Sequence, residues 1–440
     1  GFTYGYDNVL RNRRTSLSGS VHYQQFFNKE RTHSIVLTYQ ISNSPLKNSL
    51  HNVFGGESTS FIDLTDRYSD GHDNTTDHIF QVDYSLPLGQ GHNLDLGSKL
   101  LLHNATSDSK YYLNDIYNEA MSMDYSYKNT VLAGYAEYSA KWSKFGAKAG
   151  MRYEHTWQKV EYRLGTGADF STNYGSLVPT ASLSYSIAPT QNIGLTYNMR
   201  ISRPGITYLN PYVNRADPTT VSYGNSDLDV EKSHNVSLVF NSFSQKLMLN
   251  ATLRYSYSGN GIDQYSFYDG NILNTTYGNI VERNQIGLNV YANWLLAKNT
   301  RLFFNGGVDY SKMNSDMLGV SNSGWHFNSM AGVQQTLPWD LKLGAYLINS
   351  SKTYTMQGWS TGFNIVTMSL SKTFFNDQLS VGIQALTGLS SGGNIKMDTY
   401  SKGKDFEMRQ NIHVPIKSIS LTVSYTFGKK NQQMKQHRSR

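Results

Sequence analysis

The chain has 440 residues, of which 38% are hydrophobic, 13% aromatic and only 16% charged. That length exceeds what one sandwich core uses, and the lack of cysteine excludes a disulfide scaffold and thiolate chemistry. The formal charge of +7 is local, because Lys429, Lys430, Lys435, Arg438 and Arg440 sit in the last dozen residues, so no nucleic-acid partner is expected.

In chain order, residues 1–6 read as the tail of an earlier strand, and the remainder of the chain alternates with a period of two. Ile193, Leu195, Tyr197, Met199 and Ile201 interleave with Asn192, Thr196, Asn198 and Arg200. Leu247, Leu249, Ala251, Leu253, Tyr255 and Tyr257 interleave with Asn250, Thr252, Arg254 and Ser256. At the far end Ile419, Leu421, Val423, Tyr425 and Phe427 interleave with Ser420, Thr422, Ser424 and Thr426. This period gives each strand one apolar and one polar face.

The connections alternate as well. Tight turns are predicted near 27–30, 89–91, 142–144, 188–190, 243–245, 297–299, 337–339 and 375–377. Long polar excursions are predicted at 43–77, 105–125, 162–174, 204–231, 259–281 and 391–415. Short turns on one side and long loops on the other are the layout of an outer-membrane barrel. Strands of roughly 10 residues, rising roughly 3.3 Å each at a tilt near 40°, cross a hydrocarbon band about 25 Å tall. The expected fold is therefore all-β: a transmembrane antiparallel up-and-down β-barrel of about 18 strands over residues 1–428, embedded in a lipid bilayer, followed by a basic polar tail at 429–440.

Several spaced motifs carry a family resemblance. Asn210 and Pro211, Asp217 and Pro218, then Gly224, Asn225, Leu228, Glu231, Ser233 and Asn235 form the first. Others are Gln81, Asp83, Tyr84, Pro87 and Leu88 followed by Leu94, Gly97 and Lys99; Ala133 to Glu137; Gly150 to Glu154; and Leu177, Val178 and Pro179 with Leu183 and Tyr185. In order and spacing they resemble the barrel of TonB-dependent receptors over nearly the whole chain.

That resemblance implies a 22-stranded barrel and an N-terminal plug domain, so that a plug and about four strands would precede Gly1. It implies the Gram-negative outer membrane, contact with TonB and an inner-membrane motor complex, and uptake of a nutrient of the siderophore, oligosaccharide or peptide class. Tyr425, Thr426 and Phe427 resemble the aromatic-ended last strand read by the barrel-assembly machinery, though here a polar tail extends beyond it. A surface lipoprotein is a further partner left open. The alternative is a passive porin-like or structural barrel without energy coupling.

Turn chemistry makes a structural role the first expectation for Asn210, Pro211, Gly224, Asn225, Leu228 and Glu231, since Pro fixes φ and Gly or Asn tolerates positive φ. Ligand contacts are expected from the loop aromatics Tyr111, Tyr112, Tyr208, Tyr212, Tyr223, Tyr265 and Tyr268, because a phenol joins a flat apolar face to a polar tip. Tyr255, Tyr257 and Trp325 read as girdle residues at the membrane interface. A barrel this wide is not filled by its own side chains, so Lys148, Arg152, Glu154, Arg200 and Arg254 are expected to line the lumen, against a plug or water. Asp63, Asp66, Asp70, His72, Asp73, Asp77 and His78 crowd one loop at a spacing that fits neither an EF-hand nor a paired-histidine zinc site. No metal, cofactor or catalytic residue is expected, and hence no enzyme.

Overall fold

The computed structural model describes residues 5–55, 63–165, 169–209, 219–375, 377–404 and 406–427. Among these residues twenty strands form one large sheet and four form a second, smaller one. Ile116–Tyr117 and Thr220–Ser222 are short side pieces of the large sheet. Gly5–Arg14 and Leu17–Phe26 pair along successive halves of Ser34–Gly55 and so make one stave between them. Seventeen membrane-length staves remain, joined as antiparallel hairpins in chain order. Gly5 and Tyr6 pair with Gly55 and Phe54, which places them in this first stave rather than in an earlier strand.

The tight turns fall where the alternation places them. The long excursions are mostly not loops. Ser34–Gly55 and Arg67–Gly89 stay paired as far as Asn52 and Arg67. Leu247–Asp269 and Ile272–Ala297 stay paired to their tip, and the strands flanking the excursions at 105–125 and 162–174 likewise run on to Leu113 and Leu164. Above the bilayer water satisfies both faces of a hairpin, so a strand there needs no apolar face and resembles a loop in composition.

Register shows why the wall belongs in lipid. Leu183, Leu195, Leu238, Leu253, Leu288, Val308 and Phe327 are successive partners across seven staves. The six other than Val308 are 42–58% exposed. An uninterrupted apolar belt of that kind is untenable in water and is what a bilayer requires. One pair further toward the loops, Tyr197, Val236, Tyr255, Ile286, Tyr310 and Trp325 form the next file, rich in rings, with Tyr310 and Trp325 5.1 Å apart. At the turn side Trp142 stacks on Phe145, whose ring packs at a tilt against Tyr185, and Trp294 lies eight residues beyond Ile286 on one strand. Eight residues correspond to about 20 Å of height at this tilt, close to the spacing of two interfacial girdles.

The opposite face is polar. Asn192, Asn241 and Asn250 are cross-strand partners, with the Asn250 amide donating to Asn241 and that of Asn241 donating to Asn192 at 2.9 Å. Every residue of Gly5–Arg14 and of Ser418–Tyr425 is exposed, and among the described residues no ladder joins these two ends of the sheet.

Among the described residues two apolar clusters hold the part above the bilayer. Ala105, Met123, Tyr125, Tyr127 and Val160 pack with Tyr162 and Phe170. Val281, Met313 and Met356, with Tyr354, seat the small sheet on the neighbouring hairpins. That sheet comprises Thr353–Thr355, Gly358–Ser360, Asn394–Lys402 and Glu407–Pro415.

One turn permits only glycine. Gly91 has φ +79, a Cβ there would overlap Lys141 O on the next stave, and Lys141 N donates to Gly91 O at 2.6 Å. Gly91→Ala is expected to lose ~1–2 kcal/mol from the left-handed backbone alone, and more through displacement of Lys141. Gly134→Ala is the control, because its Cβ would meet nothing within 4 Å. The folded fraction, read from heat-modifiable mobility on gels, should fall for the first and hold for the second; equal fractions would refute the assignment.

Candidate functional site

The polar face carries one connected charged network, assembled from the spaced motifs. Asp83, Gly97, Tyr135 and Arg152 are successive partners across four staves, and Gln81, Lys99, Ala133 and Glu154 form the next file. Gly97 makes the first file possible: a Cβ there would lie inside the ring of Tyr135. The phenol therefore reclines across Gly97 and donates to Asp83 Oδ1, while Gln81 Nε2 donates to Asp83 Oδ2 at 2.8 Å. The Arg152 guanidinium stands 5.2 Å from the Tyr135 ring centre, a cation–π distance, and Nε donates to Glu154 Oε1.

Glu154 is shared. Its second oxygen accepts from Arg203 Nη2, and Arg203 Nε donates to Thr156 Oγ1 at 3.2 Å. Arg203 comes directly after the strand Gln191–Ser202 and so reaches back across two staves. The Glu154 side chain is only 12% exposed, so the two guanidinium groups compensate a largely desolvated carboxylate. Sequence reasoning named Arg152 and Glu154 but missed Arg203; the only signal was that the alternation ends just before it, at Ser202, with Pro204 behind.

The other charged residues of the polar face are separate. Lys148 pairs with Glu137 at 2.9 Å and Arg254 with Asp309 at 3.5 Å, while Arg200 is exposed on the same face. The acidic excursion is also divided among local contacts: Asp73 accepts from Asn48 and Ser107, Asp77 from Ser42, and Asp77 meets His103 at 2.5 Å. Among the described residues no group of three or more His, Asp or Glu converges as a metal site would.

Asn210, Pro211 and Tyr212 lie outside the described residues. The rest of that motif fastens a loop to the long hairpin beside it. Asn225 accepts from Asp227 N at 2.9 Å and donates its amide to Tyr277 O at 2.9 Å. Glu231 Oε2 accepts from Ile262 N at 3.0 Å. Gly224 is buried between these anchors and Leu228 is half-buried. In the same hairpin burial raises the Asp263 carboxyl above its ordinary range, against Arg283 at 3.5 Å.

The aromatics fall into three groups. Tyr111 is buried, whereas Tyr112 packs between Tyr68 and Tyr117 at 5.6 and 5.7 Å. Tyr208 meets Tyr277 edge-on at 4.6 Å, Tyr223 N donates to Thr275 O, and Tyr265 stacks on Phe267, all around one hairpin. Tyr268 reaches Phe406 beside the small sheet.

One string has the spacing of a nucleophile elbow: Gly388, Leu389, Ser390, Ser391 and Gly392 fit G-x-S-x-G. It is a strand-to-strand turn, however, and Ser390 Oγ donates to Asn394 O, so the strand-to-helix geometry that exposes such a serine is absent from it.

Seventeen antiparallel staves with an apolar outer belt, two levels of rings and a charged inner wall define the wall of a wide outer-membrane β-barrel. The chain belongs to the outer membrane protein beta-barrel family, whose model matches residues 24–434. No curated protein matches the sequence. The fold is similar to the ferric citrate transporter FecA in its unliganded form, at 12% identity and TM-score 0.66, over 95% of this chain and 62% of that one. It is similar to the siderophore receptor PiuA from Acinetobacter baumannii, at 11% and 0.65, over 94% and 64%. It is also similar to the ferric-catecholate import receptor Fiu from K12 E. coli, at 13% and 0.64, over 94% and 64%. The chain thus spans under two thirds of the length of these receptors.

Proposed function

We propose that residues 1–428 are the barrel part of a TonB-dependent outer-membrane receptor that takes up a scarce nutrient, with a basic tail at 429–440. The observation that carries this reading is the network from Asp83 through Tyr135, Arg152 and Glu154 to Arg203. It is a fixed, partly desolvated polar surface on the inside of a wall too wide to be filled by its own side chains. A water-filled pore gains little from tying its charges into one connected patch, whereas a folded plug needs such a surface to dock on.

Under this reading a plug domain fills the cylinder, whose width its own side chains do not span. Ferric citrate, siderophores and ferric catecholate, named for the proteins of similar fold, make a metal chelate the leading cargo class. The reading assigns the chain no catalysis. TonB and its motor complex, the barrel-assembly machinery and a surface lipoprotein are its partners under this proposal.

The test is accumulation of ligand by cells producing the whole protein, with and without TonB. Uptake that stops when TonB is removed is the expected result. Uptake that persists and scales linearly with outside concentration would establish the passive porin instead.

A further inference from the structure

The geometry points to a carboxylate-binding subsite built around Arg67 on the inward side of the first hairpins, above the membrane. It rests on the receptor reading, to which it adds that the captured ligand bears an acid group.

Arg67 begins the strand Arg67–Gly89, opposite Asn52 and Leu113, and is 5% exposed. It stands on the same face as Asp77, Gln81 and Asp83, the polar inner face of the wall, but above the bilayer. Nη2 donates to Asp63 O at 3.0 Å and lies 3.4 Å from Asp63 Oδ2, and the Phe54 ring lies 5.3 Å from the guanidinium carbon. Nε and Nη1 are buried and have no partner. Burying two donors of a guanidinium without acceptors carries the full desolvation penalty. Such a group is retained where an acceptor arrives from outside.

The space for one is present. Arg67 lines a cavity of about 300 Å³, at the small end for a ligand pocket. Among the described residues lining it, Arg67 is the sole charged group; Asn48, Ser69 and Ser109 add an amide and hydroxyls, and Leu10 and Leu50 add apolar surface. The nearest carboxylate, Asp63, has a side chain 58% exposed and accepts from Thr65 N and Oγ1, so it leaves the cavity side of the guanidinium uncompensated. One positive charge with hydroxyl donors and an apolar flank matches a monoanion on a small carbon body. A phosphate dianion would bring one charge too many.

The experiment is calorimetric titration of the full-length receptor in micelles with glucuronate, with glucose as its uncharged counterpart and inorganic phosphate as the competing anion. Glucuronate should bind and glucose should not. Arg67→Met should weaken glucuronate at least tenfold, with Arg67→Lys intermediate and Arg254→Gln unchanged. Because Arg67→Met removes two unsatisfied donors together with the charge, its ligand-free unfolding midpoint should stay near that of the parent. Should that variant fail to fold, Ser69→Asp supplies a second route: a carboxylate on the same face of the strand should neutralise Arg67 and abolish glucuronate binding. Absence of glucuronate binding, a preference for phosphate, or binding indifferent to both substitutions would overturn the subsite. None of these measurements involves energised transport, so they leave the dependence on TonB to be judged separately.

Discussion

Leu253→Arg is expected to cost about 2–4 kcal/mol of folding stability in a bilayer. Leu253 occupies the centre of the seven-stave apolar file, between Leu238 and Leu288, and its side chain is 44% exposed to what is hydrocarbon in the membrane. A guanidinium there must snorkel, thin the bilayer or draw in water, and all three are least available at mid-depth. Thr252→Arg tests the face rather than the residue type. Thr252 points to the polar side, between Val239 and Asn289, where an added charge meets water and amides, so a loss of no more than about 1 kcal/mol is expected. Urea-titrated folding into lipid vesicles, monitored by tryptophan fluorescence, measures both. Equal losses would mean that the two faces do not differ as assigned, and a larger loss from Thr252→Arg would mean that they are reversed.

The second large effect is expected inside the wall. Glu154→Ala leaves Arg152 and Arg203 facing each other without the carboxylate they share, at a cost of about 2–3 kcal/mol. The figure sits below that for a fully buried triad because the two arginine side chains remain 29% and 24% exposed. Glu154→Gln keeps an acceptor and should cost less than half as much. Combining Glu154→Ala with Arg203→Met should recover part of the loss, since the second change removes the charge that the first strands. If the double substitution is as unstable as the sum of the singles, the two residues do not act as a pair.

Both predictions rest on register, which the sequence records only in part. The alternation of Leu247, Leu249, Ala251, Leu253 and Tyr255 against Asn250, Thr252 and Arg254 is visible along one strand, and so is the position of each tight turn. These are local signals, set by the period of the pleat and by turn chemistry. The polar excursions mislead for a local reason too. Asn43 to Asn52 has the composition of a loop, yet it forms ladder pairs with Thr76 to Arg67, because nothing above the bilayer penalises a strand that is polar on both faces.

Gly97, Tyr135 and Arg152 stand in three separate motifs, and the reason for each lies in the others: the missing Cβ of Gly97 makes room for a ring that starts 38 positions later. Arg203 and Arg67 carry no sequence signal of comparable strength, since one closes a network begun on another stave and the other owes its importance to a cavity lined from four neighbouring staves.

The amino-acid sequence by itself determined that this protein is a membrane-spanning wall of alternating strands with one lipid face, because pleat geometry turns a period of two into two chemically distinct faces. Only the tertiary structure decided which charges share a partner and which buried arginine, among the described residues, is left with donors unmet. Those depend on the stagger between neighbouring strands, and stagger brings together residues that no spacing along the chain connects.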